Sequence, residues 1–379
     1  NLTPGLKASM TINTDFAETE VDDRQINLTR FPIRFPEKRD FFLEGANIYQ
    51  FAPRSGVYPY FSRKIGLQSG NPVPILFGGR IIGKIGKVEV AAQQVKTRET
   101  SSLNSEDFSV IRLKQNFWKE SSVGVLYTRR HTGKGNEINP PLPDRNTLGV
   151  DLTLNTSTFL KNQNLQFQAF AIFHNPNTLN EINNSIWDRS ARGIRINFPN
   201  DPWSGSLSYR EFGNWYDPAV GFSRRNSFRR VEPRIRFSPL LEKSSVIREL
   251  QWEISFENLM SLDWKRLTQN IRLTPLSIRF ESGDEISYQI IKNFESLEYD
   301  FNILGDNSVI IPTGDYSNWK HQIEFETANH RKIVYEIELN AEGFWSGNRT
   351  EYENTLTLRP FLGMNLSLGY IHSNVKLNE

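Results

Sequence analysis

Forty-three carboxylates and five histidines are the groups in this 379-residue chain from which hydrolysis or metal binding could be built. The densest acidic stretch, Asp15, Glu18, Glu20, Asp22 and Asp23, offers the oxygen ligands that calcium takes. It lacks the spacing and the glycine of the helix-flanked calcium loop. Salt bridges to arginines such as Arg24, Arg39 and Arg63 are the competing use, and the one expected here. Glu37 and Glu44 could serve as a carboxylate pair for glycoside chemistry, but so acidic a chain offers many such pairs. His131, His174, His321, His330 and His372 show no ligand spacing, and loops or strand ends are expected for them. Gly78-Gly79 precedes no helix, so no phosphate loop is implied. No Gly-x-Ser-x-Gly elbow is present. The chain has no cysteine, which removes disulfides and thiolate metal sites. The expectation is therefore no catalytic residue, no metal and no cofactor. Asp15, Glu18, Glu20, Asp22, Asp23, Arg24, Glu37, Lys38, Arg39, Glu44 and Arg63 stand as ion-pairing candidates. Phe35-Pro36-Glu37-Lys38-Arg39 reads as a buried pinning element.

The elements that would position these groups are strands. Leu148, Val150, Leu152 and Leu154 alternate with Gly149, Asp151 and Thr153, which marks a strand with two different faces. Ile333, Tyr335, Ile337, Leu339 and Ala341 alternate with Val334, Glu336, Glu338 and Asn340. Trp252, Ile254 and Phe256, and Leu366, Leu368 and Tyr370, do the same. Counted this way, roughly sixteen strands of about ten residues lie between Pro74 and Val375, the length a tilted membrane strand needs. One more lies at residues 6–13. One face of several strands is charged along its length, as at Glu324 and Glu326 or Arg234 and Arg236. Trp118, Trp203, Trp345 and Tyr370 near strand ends fit interfacial girdles.

The connections have a rhythm. Short ones at residues 85–86, 117–122, 198–203, 280–284 and 328–330 alternate with longer ones at 99–106, 131–146, 211–229, 295–316 and 343–350. An up-and-down transmembrane β-barrel sorts its loops in this way, with tight turns at one rim and long loops at the other. No run of about 18 apolar residues exists, so a membrane helix is excluded. Hydrophobic content of 37% and a mean hydropathy of −0.51 fit a barrel in which every second strand residue is apolar, and fit a large antiparallel β-protein in water equally. A net charge of +2 implies no bulk attraction to nucleic acid. The basic clusters Arg129-Arg130-His131 and Arg224-Arg225 with Arg229-Arg230 are expected in long loops. There they are solvated, or they meet lipopolysaccharide phosphates or a partner protein.

Residues 14–73 break the pattern. They are dense in charge and interleaved with Phe31, Phe35, Phe41, Phe42, Tyr49, Phe51, Tyr58, Tyr60 and Phe61, too aromatic for a disordered tail and too long for an ordinary connection. The organisation expected is a first barrel strand at 1–13, a plug-like insertion at 14–73 packed into the lumen, and barrel strands at 74–379. Counting strand directions leaves about seventeen strands, where bacterial barrels carry even numbers, so the C-terminal end is expected to be incomplete.

The insertion carries a recognisable run: Asn13-Thr14-Asp15-Phe16-Ala17-Glu18-Thr19-Glu20-Val21-Asp22, then Asn27-Leu28-Thr29-Arg30-Phe31, then Phe35-Pro36-Glu37-Lys38-Arg39-Asp40-Phe41-Phe42-Leu43-Glu44-Gly45, then Phe61-Ser62-Arg63-Lys64-Ile65-Gly66 and Pro72-Val73-Pro74-Ile75. It resembles the Gram-negative envelope family catalogued as domain-of-unknown-function family 5916. The resemblance covers residues from about 13 to 76. It implies a C-terminal outer-membrane β-barrel, preceded in the family by a signal peptide and a family-9-like carbohydrate-binding module that this chain lacks. Two functions follow as expectations. One is a plugged pore or scaffold in envelope transport or assembly, with the outer-membrane lipid bilayer and an envelope protein or glycan as partners. The other is a carbohydrate-binding or carbohydrate-active surface protein whose active module is missing from this chain.

Overall fold

The computed structural model describes residues 3–13, 29–68, 71–100, 103–135, 141–304 and 309–377. The fold is all-β and antiparallel, with seventeen strands assigned to one sheet and two separate two-stranded pairs. In chain order the strands are β1 (Leu6–Ile12), β2 (Leu67–Gln68), β3 (Asn71–Pro72), β4 (Ile75–Ile85), β5 (Val88–Thr97), β6 (Glu106–Phe117), β7 (Ser121–Thr132), β8 (Arg145–Phe159), β9 (Gln163–His174), β10 (Ser190–Pro199), β11 (Trp203–Phe212), β12 (Phe228–Phe237), β13 (Ile247–Ser261), β14 (Arg266–Phe280), β15 (Glu285–Leu297), β16 (Phe301–Asn302), β17 (Ile310–Ile311), β18 (Gly314–Glu326), β19 (Ile333–Phe344), β20 (Gly347–Leu358) and β21 (Leu366–Lys376). Among the described residues, helix is confined to α1 (Asp40–Leu43), α2 (Leu179–Asn183) and two 3-10 turns. No helix is long and apolar enough to cross a membrane.

The chain divides into two compact units. The first comprises Asn1–Ser157, Gln166–Arg195 and Arg210–Phe228. Here β1 lies antiparallel to β4, from Leu6 opposite Gly83 to Ile12 opposite Phe77. The hairpins then continue β4 to β5, β5 to β6, β6 to β7 and β7 to β8. Because β1 and β4 are neighbours, the sixty-odd residues between them leave and rejoin the sheet at adjacent positions. The second unit comprises Thr158–Leu165, Ile196–Tyr209 and Arg229–Glu379. In it β13, β14, β15, β18, β19, β20 and β21 pair in succession.

In the first unit several strands expose apolar residues on one face and bury a mixture of polar and apolar residues on the other. Along β8, Leu148 is 49% and Val150 44% exposed, while Thr147 is 1% and Asp151 6%. On β6, Ile111 and Leu113 are exposed and Arg112 is buried; on β7, Val123 and Val125 are exposed and Thr128 is buried. That mixed face is buried because a segment of the chain covers it. Phe42, Tyr49, Phe51, Val57 and Ile65, all from residues 29–66, are buried together with Ile82, Ala91, Val95, Phe108 and Leu126 of the strands. The core of this unit thus lies between that segment and one face of the strands.

The rhythm of the connections holds only in part. Tight turns at 86–87, 118–120, 160–162 and 200–202 alternate with longer loops at 98–105, 133–144, 175–189 and 213–227. Further along, 262–265 and 345–346 are tight where longer loops were due, and 327–332 and 359–365 are longer. At 262–265 the Ser261 hydroxyl accepts from the amides of Asp263 (3.2 Å) and Lys265 (3.1 Å), which closes a turn that holds Trp264 at φ +66°. At 345–346 Trp345 takes φ +51°, the left-handed conformation a two-residue hairpin requires. Neither turn carries the usual glycine or asparagine in that position. Several polar clusters also fall elsewhere than expected. Arg129-Arg130-His131 lies within β7, Arg229-Arg230 within β12, and His321 and His372 within β18 and β21.

Candidate functional site

The segment from residue 29 to residue 66 is organised around Arg39. Its guanidinium is 1% exposed and bonds three residues of the segment, Glu37, Ser62 and Ile65. Nε and Nη2 donate to the two oxygens of Glu37 at 2.9 and 2.8 Å, Nη1 donates to the Ile65 carbonyl at 2.8 Å, and Nη2 also donates to the Ser62 carbonyl at 2.9 Å. The Phe42 ring lies 4.1 Å beneath it. Such a bidentate, charge-assisted pair with its remaining donors satisfied is the geometry in which a buried ion pair is tolerated. Burial by itself would raise the Glu37 carboxyl, but the bonds and charge of Arg39 override it and hold the group below its ordinary value. Glu37 also accepts from the backbone amides of Lys38 (3.1 Å) and Arg39 (3.0 Å). Arg63 donates to the Pro36 carbonyl at 2.7 Å and lies over Phe35; of the run from Phe35 to Arg39, Arg39 is buried and Pro36 is exposed.

Glu44 belongs to a different network. Its carboxylate bonds Lys7 of β1 and, at 2.6 Å, Arg80 of β4, and Arg80 also donates to the carbonyls of Phe41 and Glu44. The Lys7 bond, together with the charges of Lys7 and Arg80, keeps the Glu44 carboxyl below its usual range. Glu37 and Glu44 thus each pair with separate cations, Arg39 for the first and Lys7 with Arg80 for the second. Asp15, Glu18, Glu20, Asp22, Asp23 and Arg24 lie outside the described residues.

Farther along the segment, the strands reach up to it. Asp151 of β8 accepts from the Ala52 amide at 3.2 Å while holding Arg112 of β6 at 2.5 and 2.9 Å. Phe51 packs on Gly149, where a Cβ would come within 2.8 Å of the ring, and meets Phe170 edge-on. Arg210 donates to the Ser55 carbonyl and Arg195 to that of Arg54. The Tyr60 hydroxyl bonds Gln93 of β5 at 3.2 Å; burial holds its proton on far above the ordinary phenol value. Residues 58–61 form a short backbone bridge with 220–222, through Phe222 N to Tyr58 O and Phe61 N to Val220 O, both 2.8 Å. Arg80, Arg112, Asp151 and Arg210 were not singled out as site residues in the sequence. Their one signal is a charge at a strand position opposite apolar neighbours.

Two further clusters of charge lie elsewhere. Arg145 forms a bidentate pair with Glu181 (2.7 and 3.1 Å) and reaches Asp217 at 3.5 Å, while His174 bonds the Trp215 carbonyl at 2.7 Å. These bonds stitch the loops at 175–189 and 213–227 together. In the second unit, Glu285, Glu324, Glu326, Glu336, Glu338 and Glu353 line a groove of about 300 Å³. Glu324 lies opposite Glu338, and Glu338 opposite Glu353, in the strand registers. Among the described residues no three histidine or carboxylate groups are arranged as metal ligands.

The fastened segment is also the part of the chain with a family signature. Residues 5–74 match the model of a domain of unknown function, DUF5916. The match begins just before β1 and ends one residue before β4, so it takes in the first strand and the described segment at 29–66. Comparison with curated proteins and with solved structures finds no match.

Proposed function

We propose that this chain is a membrane-spanning β-sheet protein of the outer-membrane barrel type, in which the DUF5916 segment occludes a polar inner face. It would act as a plugged pore or scaffold in envelope transport or assembly, with the lipid bilayer as its main partner and an envelope protein or glycan as a second. The observation that carries this reading is the exposed apolar face of several strands. Exposed Leu148 and Val150 beside buried Thr147 and Asp151 are what a lipid-facing surface and a polar interior require. The exposed tryptophans Trp118, Trp203 and Trp264 near strand ends suit an interfacial belt. The paired state of Glu37 and Glu44 supports a non-catalytic role, because a general acid needs a proton to give at neutral pH. Glycosidase turnover abolished by Glu37→Gln would reverse that part of the reading.

The chain contains no cysteine, so single labels can be placed cleanly. Nitroxides at Val123 and Val150, in protein reconstituted into lipid vesicles, should be relaxed by oxygen and shielded from a water-soluble nickel chelate. A label at Glu120, in the tight turn after β6, should show the reverse. Equal chelate access at all three sites would defeat the membrane assignment.

A further inference from the structure

We propose that residues 46–56 form a releasable flap, latched to the strands at Phe51 and Ala52, within a segment whose flanks are held independently of it. The proposal deepens the plug reading and rests on it only for the consequence of release.

Three observations define the flap. First, what lies on either side of it is held independently. Residues 37–44 are secured by the Arg39–Glu37 core and by Arg80, and residues 58–66 by the bridge to 220–222 and by Arg39 bonding the carbonyls of Ser62 and Ile65. Second, glycines in the left-handed region bound it, Gly45 at φ +70° and Gly56 at φ +69°. Such residues absorb large backbone changes at little steric cost. Third, the flap's grip is made by residues far away in sequence, at Phe51 and Ala52 and again where Arg195 and Arg210 donate to the carbonyls of Arg54 and Ser55. Phe51 sits against Gly149 and Phe170 with Arg112 5.4 Å from its ring, and the next amide, Ala52, donates to Asp151. Ala52 and Arg54 hold φ of +39° and +68°, conformations that non-glycine residues abandon when nothing enforces them. Docking therefore works against local backbone preference and is held by the Phe51 seat and the Asp151 bond, with Arg195 and Arg210 bonding the carbonyls that follow. Release would uncover Arg112, Asp151 and Gly149 on the polar strand face without dismantling the rest of the segment.

The test is hydrogen exchange, resolved by peptide, on the full chain in lipid nanodiscs, with channel conductance recorded in parallel. Gly149→Ala places a methyl group against the Phe51 ring, and Asp151→Asn removes the charge from the Ala52 bond. Each should speed exchange across residues 46–57 by about tenfold or more, a shift in local opening within the range of sub-global motions. Residues 37–44 and 60–66 should keep wild-type protection. Ala52→Gly should act in the opposite direction and slow exchange, since it relieves the left-handed strain; it lies outside the strands and so stays informative if a strand variant fails to fold. A uniform rise across 29–66, or unchanged exchange in all three variants, overturns the flap. Faster flap exchange with no conductance keeps the flap and removes the pore reading. Conductance that appears without faster flap exchange overturns the flap and keeps the pore.

Discussion

At the residue scale, the Arg39–Glu37 pair is the feature on which the segment's integrity turns. Truncating one partner strands the other charge in a buried site, so Arg39→Met should destabilise the segment by about 3–5 kcal/mol. Arg39→Met combined with Glu37→Leu should recover most of that loss, because two apolar groups of similar size leave no charge behind. Protease sensitivity of residues 29–66 in a double-mutant cycle measures both outcomes. The same pair sets a pH dependence. The Glu37 carboxyl lies below its ordinary 4.5 in the folded protein, so its stabilising contribution is complete above that value. It is lost as pH falls through the lowered one. Segment protection should therefore be flat near neutrality and decline in acid, and Glu37→Gln should shrink that decline, leaving the part due to Glu44. The local part of this network was legible in the sequence, since Glu37 and Arg39 lie two residues apart. The grip of Asp151 on Ala52 was not, since it joins residues 99 apart and depends on the register of four intervening hairpins.

At the element scale, strand number and strand faces were legible because a period of two survives any register. Sixteen strands after residue 74 and one before it are what the alternation gave and what the sheet contains. Loop sorting was less legible. The turns at 262–265 and 345–346 use Trp264 and Trp345 in left-handed conformations, with a serine hydroxyl closing the first, and neither has a glycine to announce it. The exposed apolar faces make a prediction that separates lipid from water. Val150→Lys should cost about 2–4 kcal/mol in vesicle refolding if β8 crosses near the bilayer midplane. On a water-facing sheet the same change would fall within about 0.5 kcal/mol.

At the scale of the whole molecule, the DUF5916 segment is the one large departure from hairpin-after-hairpin order. It leaves and re-enters at paired strands, with Ile12 opposite Phe77, so its ends can be rejoined by a short linker without moving either strand. Replacing residues 14–73 with such a linker should turn a silent protein into a conducting one in planar bilayers. A folded but silent deletion variant would place the segment outside any passage. The glutamates of the second unit have a different consequence. Glu324, Glu338 and Glu353 stand side by side on strands whose backbone bonds keep them from moving apart, and like charges so placed repel. In the first unit, the charges Arg80, Glu44 and Lys7 attract. Dissolved ions weaken both effects over a Debye length of about 10 Å at 0.1 M. Raising ionic strength should thus loosen residues 29–66 while tightening β18, β19 and β20, so that a single salt titration followed by hydrogen exchange moves the two units in opposite directions.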